Sequence, residues 1–280
     1  MKLSRLEAIS LSGGPVNHDL CGYENNTFWV MDGATPLSPS YTPSADAELR
    51  GLMDRLEQVI RSKSKEVSLS LNEILISAAQ EIERDLGDMK GRKRWELPSC
   101  AVAVVRIHEK HIEYLVLGDV VIVLRSNEVL KVITDHSVKH LDEIAVKEKL
   151  HWQLTQGISS SDARKAILPL LRENRALMNE PGGYWIFNGS VAAVEHALSG
   201  VLPVENDTQL LLATDGFSRL VDTFPAYPSW ASLLEALQTS SLERIANMLR
   251  EIEESDRECL KYPRFSTFDD ATAIYMELKP

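Results

Sequence analysis

Cysteine is scarce. The 280-residue chain has three, Cys21, Cys100 and Cys259, an odd number at wide spacing with no CxxC pair. That excludes a zinc ribbon, a thioredoxin-like dithiol and a disulfide-stapled scaffold, and the three read as reduced packing thiols. Long apolar runs are also lacking. None approaches the ~18 residues of a membrane span, and the opening MKLSRLEAISLSGG has no signal-peptide apolar core. Basic charge is the minority, 30 Lys and Arg against 41 Asp and Glu, for a net charge of -11. Such a field repels nucleic-acid backbones and anionic lipid. A cytoplasmic protein is expected, with neither nucleic acid nor membrane as partner. No internal repeat is visible, and the Pro/Ser stretch at residues 36–44 is too short for an interdomain linker. With 44% hydrophobic residues, one domain over residues 1–280 is the simplest organisation.

What is present is a sequence of apolar strands interleaved with amphipathic stretches. LEAISLS and TFWVMDGA read as strands, the second running into Asp32-Gly33. Residues 44–63 repeat Leu49, Leu52, Met53, Leu56, Val59 and Ile60 at helical spacing, and residues 70–88 form a second helix. From 99 to 134 the pattern changes to SCAVAVVRI, HIEYLVLGD, VVIVLRS and EVLKVIT between turn signals, which predicts an antiparallel meander. Residues 138–177 are mostly helical, and Pro181-Gly182-Gly183 precedes the aromatic run YWIFNG, expected to be a core-packing strand. TQLLLATDGF is a buried strand delivering Asp215, two helices cover 229–238 and 241–254, and DDATAIYMEL is the last strand. Strands at the start, middle and end with helix pairs between them do not make a parallel βαβ repeat. Two packed sheets flanked by helices fit better.

Four acidic sites share one local grammar: Asp32 in MDGA, Asp119 in LGDV, Asp215 in TDGF and Asp269-Asp270 in FDDAT. Each stands at a strand end beside glycine or another small residue. Such carboxylates, projecting from rigid elements, are the oxygen ligands that magnesium or manganese prefers. Two such ions activate water and clamp a phosphoryl group. Asp-Gly is equally a common turn dipeptide, so each site alone also reads as a turn or a strand cap.

Taken in order, the motifs resemble the metal-dependent protein phosphatases of type 2C. The elements that carry the resemblance are Asn17-His18-Asp19, Asp32-Gly33, Gly118-Asp119, Thr214-Asp215-Gly216 and Asp269-Asp270-Ala271-Thr272, together with Thr134-Asp135-His136-Ser137. The resemblance implies an α+β fold, a four-layer α/β/β/α sandwich with two central antiparallel sheets flanked by helix pairs. It implies two Mn2+ or Mg2+ ions and a possible third. Asp32 would bridge the two, with the Gly33 carbonyl on one of them. Asp215 and Asp269 would complete one ion, Asp19 would help hold the other, and Asp119 would share a third with Asp215. Asp32, Asp215 and Asp269 would thus be the catalytic set.

The chain also departs from that pattern. The family's phosphate-holding arginine, five residues before the N-terminal aspartate, is Gly14 here. Arg172, Arg175 and Arg264 are the remaining candidates for substrate phosphate, on the planar donor geometry of arginine. His18 replaces an acidic or amide residue and is expected to pack, with a general-acid role as the alternative. The loop after the bridging position is Ala34-Thr35-Pro36 in place of a histidine- or methionine-glycine run, and Asp270 replaces an asparagine. The expected function is a phosphomonoester hydrolase acting on phosphoserine or phosphothreonine of a protein. Two alternatives stand beside it: a catalytically weak or inactive phosphatase-like binding module, and a hydrolase of small phosphorylated molecules.

Overall fold

The computed structural model describes residues 2–37, 43–85, 91–204 and 207–279. Among the described residues ten strands form two five-stranded sheets in which every pairing is antiparallel. One sheet has the order β1 (Lys2–Leu11), β10 (Ala271–Lys279), β9 (Thr208–Ala213), β6 (Val121–Ser126), β7 (Val129–Ile133). The other has the order β2 (Asp19–Glu24), β3 (Thr27–Ala34), β4 (Ser99–Ile107), β5 (His111–Leu117), β8 (Leu198–Pro203).

Side-chain alternation explains why the central strands are apolar throughout. Phe28 and Val30 of β3 face the inter-sheet core with Ala101, Ala103, Ile122, Leu124, Leu210, Leu212, Ile274 and Met276. Their neighbours Trp29 and Met31 face outward onto α1 (Pro43–Lys63) and α2 (Leu71–Asp85), where Leu49, Leu52, Leu56, Ile74 and Leu75 are buried. On the opposite side Val121, Val123, Leu211, Ala273 and Tyr275 pack against α7 (Asp215–Asp222), α8 (Trp230–Thr239) and α9 (Leu242–Ser255). A strand buried on both faces has no polar period to show. Three apolar interfaces between four layers are the α/β/β/α sandwich that the motif order implies.

The meander expected over 99–134 is divided between the sheets. β4 and β5 pair in one, β6 and β7 in the other, and the chain crosses at Gly118-Asp119. Gly118 has φ +90, and a Cβ there would lie 2.6 Å from that of Ala101, so the crossing demands glycine. Between β7 and β8 come α3 (Lys139–Gln156), α4 (Ser160–Ala166), α5 (Leu168–Ala176) and the short α6 (Val191–Glu195). α3 stops at Gly157, whose left-handed φ of 63 caps it. The YWIFNG run is not a strand. It makes only the isolated bridges Cys100 to Phe187 and Met178 to Tyr184, while Tyr184 and Phe187 are buried. The second predicted helix ends at Asp85 among the described residues, and its remaining positions, 86–88, lie outside them, as do 38–42 of the Pro/Ser stretch.

Candidate metal centre

The sandwich brings the acidic motifs to one end. Antiparallel pairing of β2 and β3 sets Asp19 directly opposite Asp32, an arrangement that like charges disfavour unless something compensates. Asp32 follows Phe28 and Val30 at period two, so it shares the face that looks toward the other sheet. From that sheet, β9 ends at Ala213 and delivers Asp215 as the first residue of α7, and Asp269 and Asp270 precede β10. Asp119 lies on the crossover between the sheets. Asp32, Gly33, Asp119, Asp215, Asp269 and Asp270 line one cavity of about 320 Å3. Asp19 stands just behind, 5% exposed, its Oδ2 accepting from the Thr214 hydroxyl at 2.8 Å.

These carboxyls are hard to ionise together. Asp32 and Asp119 are half-buried, and Asp215 is exposed on a cavity that is partly open to solvent. Burial, then the charges of Asp19 and Asp215, holds the Asp32 carboxyl well above the usual range. Burial, then Asp269 and Asp119, pushes Asp215 up to about 7, and it lies within hydrogen-bonding reach of Asp32. Asp119 is pushed up to about 6 by burial and by Asp142. Asp19 is raised well above its ordinary value by burial, against the Thr214 and Thr272 hydroxyls. Excess negative potential among crowded carboxylates is what a divalent cation relieves.

The donor set fits a hard cation in kind: carboxylate oxygens on rigid strand ends, and a glycine carbonyl at Gly33. It is not pre-arranged, since no three acidic, histidine or cysteine side chains among the described residues surround a common point. Asp269 is turned to Arg219, with which it pairs. Asp270 is committed to the backbone, its Oδ1 accepting from Gly13 N at 2.7 Å and its Oδ2 from His18 N at 2.6 Å. It therefore ties the 13–18 loop to β10. His18 lines the cavity and its Nε2 meets Asp46 Oδ1 at 3.0 Å, which staples that loop to α1.

The arginine candidates separate. Arg175 lines the cavity and donates from Nη1 to the Ser99 hydroxyl at 3.3 Å. Arg172 donates from Nε to the Leu37 carbonyl at 2.9 Å and is not part of the lining. Arg264 is a correction to the expectation. It is 4% exposed, pairs with Asp256 at 2.8 Å, donates to the carbonyls of Tyr262, Glu253, Asp256 and Thr267, and is not part of the cavity lining, which its neighbours Phe265 and Ser266 join. Sequence reasoning missed three cavity or near-cavity groups. Arg164 of α4 lines the wall. Asp142 of α3 does too, its carboxyl pushed up to about 7 by burial and Asp215. Arg219 lies one helical turn beyond Asp215, and that i, i+4 spacing was the available signal.

No helix among the described residues is long and apolar enough to cross a membrane. No curated protein matches the sequence. Solved structures do. The serine/threonine phosphatase PstP/Ppp of Mycobacterium tuberculosis is 16% identical, with 99% of each chain covered and a TM-score of 0.55. The PstP catalytic domain in complex with two manganese ions is 16% identical, covering 99% of this chain and 98% of that one, with a TM-score of 0.54. The serine/threonine phosphatase Stp1 of Staphylococcus aureus is 13% identical, covering 100% of this chain and 96% of that one, with a TM-score of 0.57. At such identities the likeness is one of fold. The family model for protein phosphatase 2C matches residues 16–252, a span that holds Asp19, Asp32, Asp119 and Asp215, and the chain belongs to that family of metal-dependent protein phosphatases.

Proposed function

We propose that the chain is a phosphomonoesterase acting on phosphoserine or phosphothreonine side chains of proteins, working in the cytoplasm as a single domain. The observation that carries this is the convergence of Asp32, Asp119, Asp215 and Asp269, from both sheets and the crossover between them, on one cavity. Asp32, the Gly33 carbonyl, Asp215 and Asp269 would hold two Mn2+ or Mg2+ ions, Asp19 would support one through water, and Asp119 with Asp215 would take a third. Such cations, when bound, lower the pKa of a coordinated water and neutralise phosphoryl charge. The protein's own part is positioning. Thr214 orients Asp19, and the Asp270 carboxylate fixes the 13–18 loop over the site. Leu171, Tyr184 and Ile186 form an apolar wall beside the carboxylates.

With Gly14 in place of the family's arginine, the phosphate must be met from another side. Arg175, with Arg164 also in the lining, supplies that charge in the proposed enzyme, and its planar fork suits phosphate oxygens. Arg172 instead anchors the segment at Leu37.

The decisive experiment strips the protein with a chelator and follows hydrolysis of p-nitrophenyl phosphate and a phosphopeptide as Mn2+ or Mg2+ is restored. Metal-dependent turnover lost in Asp215→Asn is the expected result. A folded protein with no turnover at any metal concentration would make it a phosphatase-like binding module. Gly14 and the pairing of Asp269 with Arg219 are the observations that favour this second reading.

A further inference from the structure

Arg219 is a buried guanidinium, 7% exposed, at the back of the carboxylate cluster. One side of it faces Glu253 of α9, whose Oε1 accepts from Nη1 at 2.9 Å; the other side pairs with Asp269 Oδ2. Glu253 is completely buried and also pairs with Arg250, which in turn donates to the Asp269 carbonyl at 2.7 Å and the Leu11 carbonyl at 3.0 Å. Two guanidinium groups and two carboxylates therefore close a neutral network with no ion present. Asp32, Asp119 and Asp215 make no ion pair within that network, although Asp215 feels both the negative charge of Asp269 and the positive charge of Arg219.

The two halves of the centre are consequently unequal. A divalent cation entering among Asp32, Asp119 and Asp215 relieves repulsion. One that also needs Asp269 must draw it from Arg219 or share it, and must sit near a fixed positive charge that Glu253 keeps from moving away. We infer that Arg219 is an internal counter-cation that competes with a divalent ion for Asp269, so that this chain holds one ion firmly and the next weakly. It is a positioning residue, acting through Asp269, and the inference rests on the metal centre proposed above.

The test is calorimetric titration of chelator-stripped protein with Mn2+, comparing wild type with Arg219→Gln and Arg219→Lys. The wild type is expected to show two unequal binding steps. Arg219→Gln should tighten the weaker step by at least about tenfold, the effect of removing one nearby fixed charge. Arg219→Lys, which retains the charge, should leave it near the wild-type value. Two equal steps in the wild type, or a weaker step that Arg219→Gln leaves unchanged or loosens, overturns the inference alone. Absence of Mn2+ binding in all three proteins overturns the proposed centre with it. If Arg219→Gln does not fold, the Arg219 Nε–H resonance of the wild type decides: Mg2+ binding that shifts it supports competition, and binding that leaves it unmoved overturns it.

Discussion

The Thr214 hydroxyl donates to Asp19 Oδ2 at 2.8 Å and accepts from the Thr272 amide at 3.0 Å, with Thr214 fully buried. One hydroxyl thus links β2 of one sheet to the ends of β9 and β10 in the other. Thr214→Val keeps the shape and removes both bonds. It should destabilise the fold by about 1–3 kcal/mol, read from the urea midpoint, with Thr214→Ser restoring most of the loss. An unchanged midpoint would show that the two sheets are held by apolar packing alone at this end.

Glu253, wholly buried between Arg219 and Arg250, cannot be removed without leaving two guanidinium groups facing each other. Glu253→Ala should cost about 3–5 kcal/mol of stability, measured by thermal or chemical denaturation.

Metal-free protein should respond to pH in the sense opposite to ordinary acid denaturation. The carboxyl of Asp215 is pushed up to about 7 in the folded chain, against about 3.9 in an unfolded one. Between those values the folded state binds more protons, so this contribution to stability is fully present below the unfolded pKa and is lost as pH rises through about 7. The chelator-treated protein should therefore melt progressively earlier as pH is raised from 5 to 8. Asp215→Asn should flatten that slope, and the difference between the two proteins reports Asp215 together with the Asp32 and Asp142 carboxyls that its charge holds up.

Arg175→Ala should raise KM for p-nitrophenyl phosphate and phosphopeptide roughly tenfold or more, as expected for a lost charge-assisted contact to phosphate. Arg172→Ala should act on stability rather than KM. Equal effects from both substitutions would count against Arg175 as the phosphate group.

Gly14 is exposed and a Cβ there meets no atom within 4 Å. Gly14→Arg therefore fits sterically, and should lower KM roughly tenfold by restoring a charged donor near the 13–18 loop. An unaltered KM would mean that the loop no longer addresses substrate.

The buried layers were legible because helical spacing in residues 44–63 and the apolar runs of β4, β6 and β9 survive tertiary packing unchanged. The aspartates were legible as a set, through their order along the chain. The edge strands β1 and β7 were also read, but the edge strands β2 and β8 were not. β2 reads DLCGYE, with a weak alternation and a glycine where a Cβ would lie 2.7 Å from the Trp29 ring. β8, LSGVLP, is mostly exposed and carries little apolar signal. The division of the meander was hidden because pairing partners are chosen by inter-sheet packing, which local alternation does not encode. Arg264 and Arg219 show the same limit at the site. Neither Ser218-Arg219-Leu220 nor Pro263-Arg264-Phe265 names a partner, and only folding commits one arginine to Asp269 and the other to the Asp256 loop.

The crossing at Gly118-Asp119 has a consequence for biosynthesis. Asp19 and Asp32 come with one sheet, and Asp215 and Asp269 with the other, the last of them joined to the final strand. A chain emerging from the ribosome holds only part of its carboxylates until β10 closes between β1 and β9. In the proposed enzyme the two halves of the centre meet only when β10 has closed between β1 and β9, so a half-docked molecule has no partial activity to release on its surroundings.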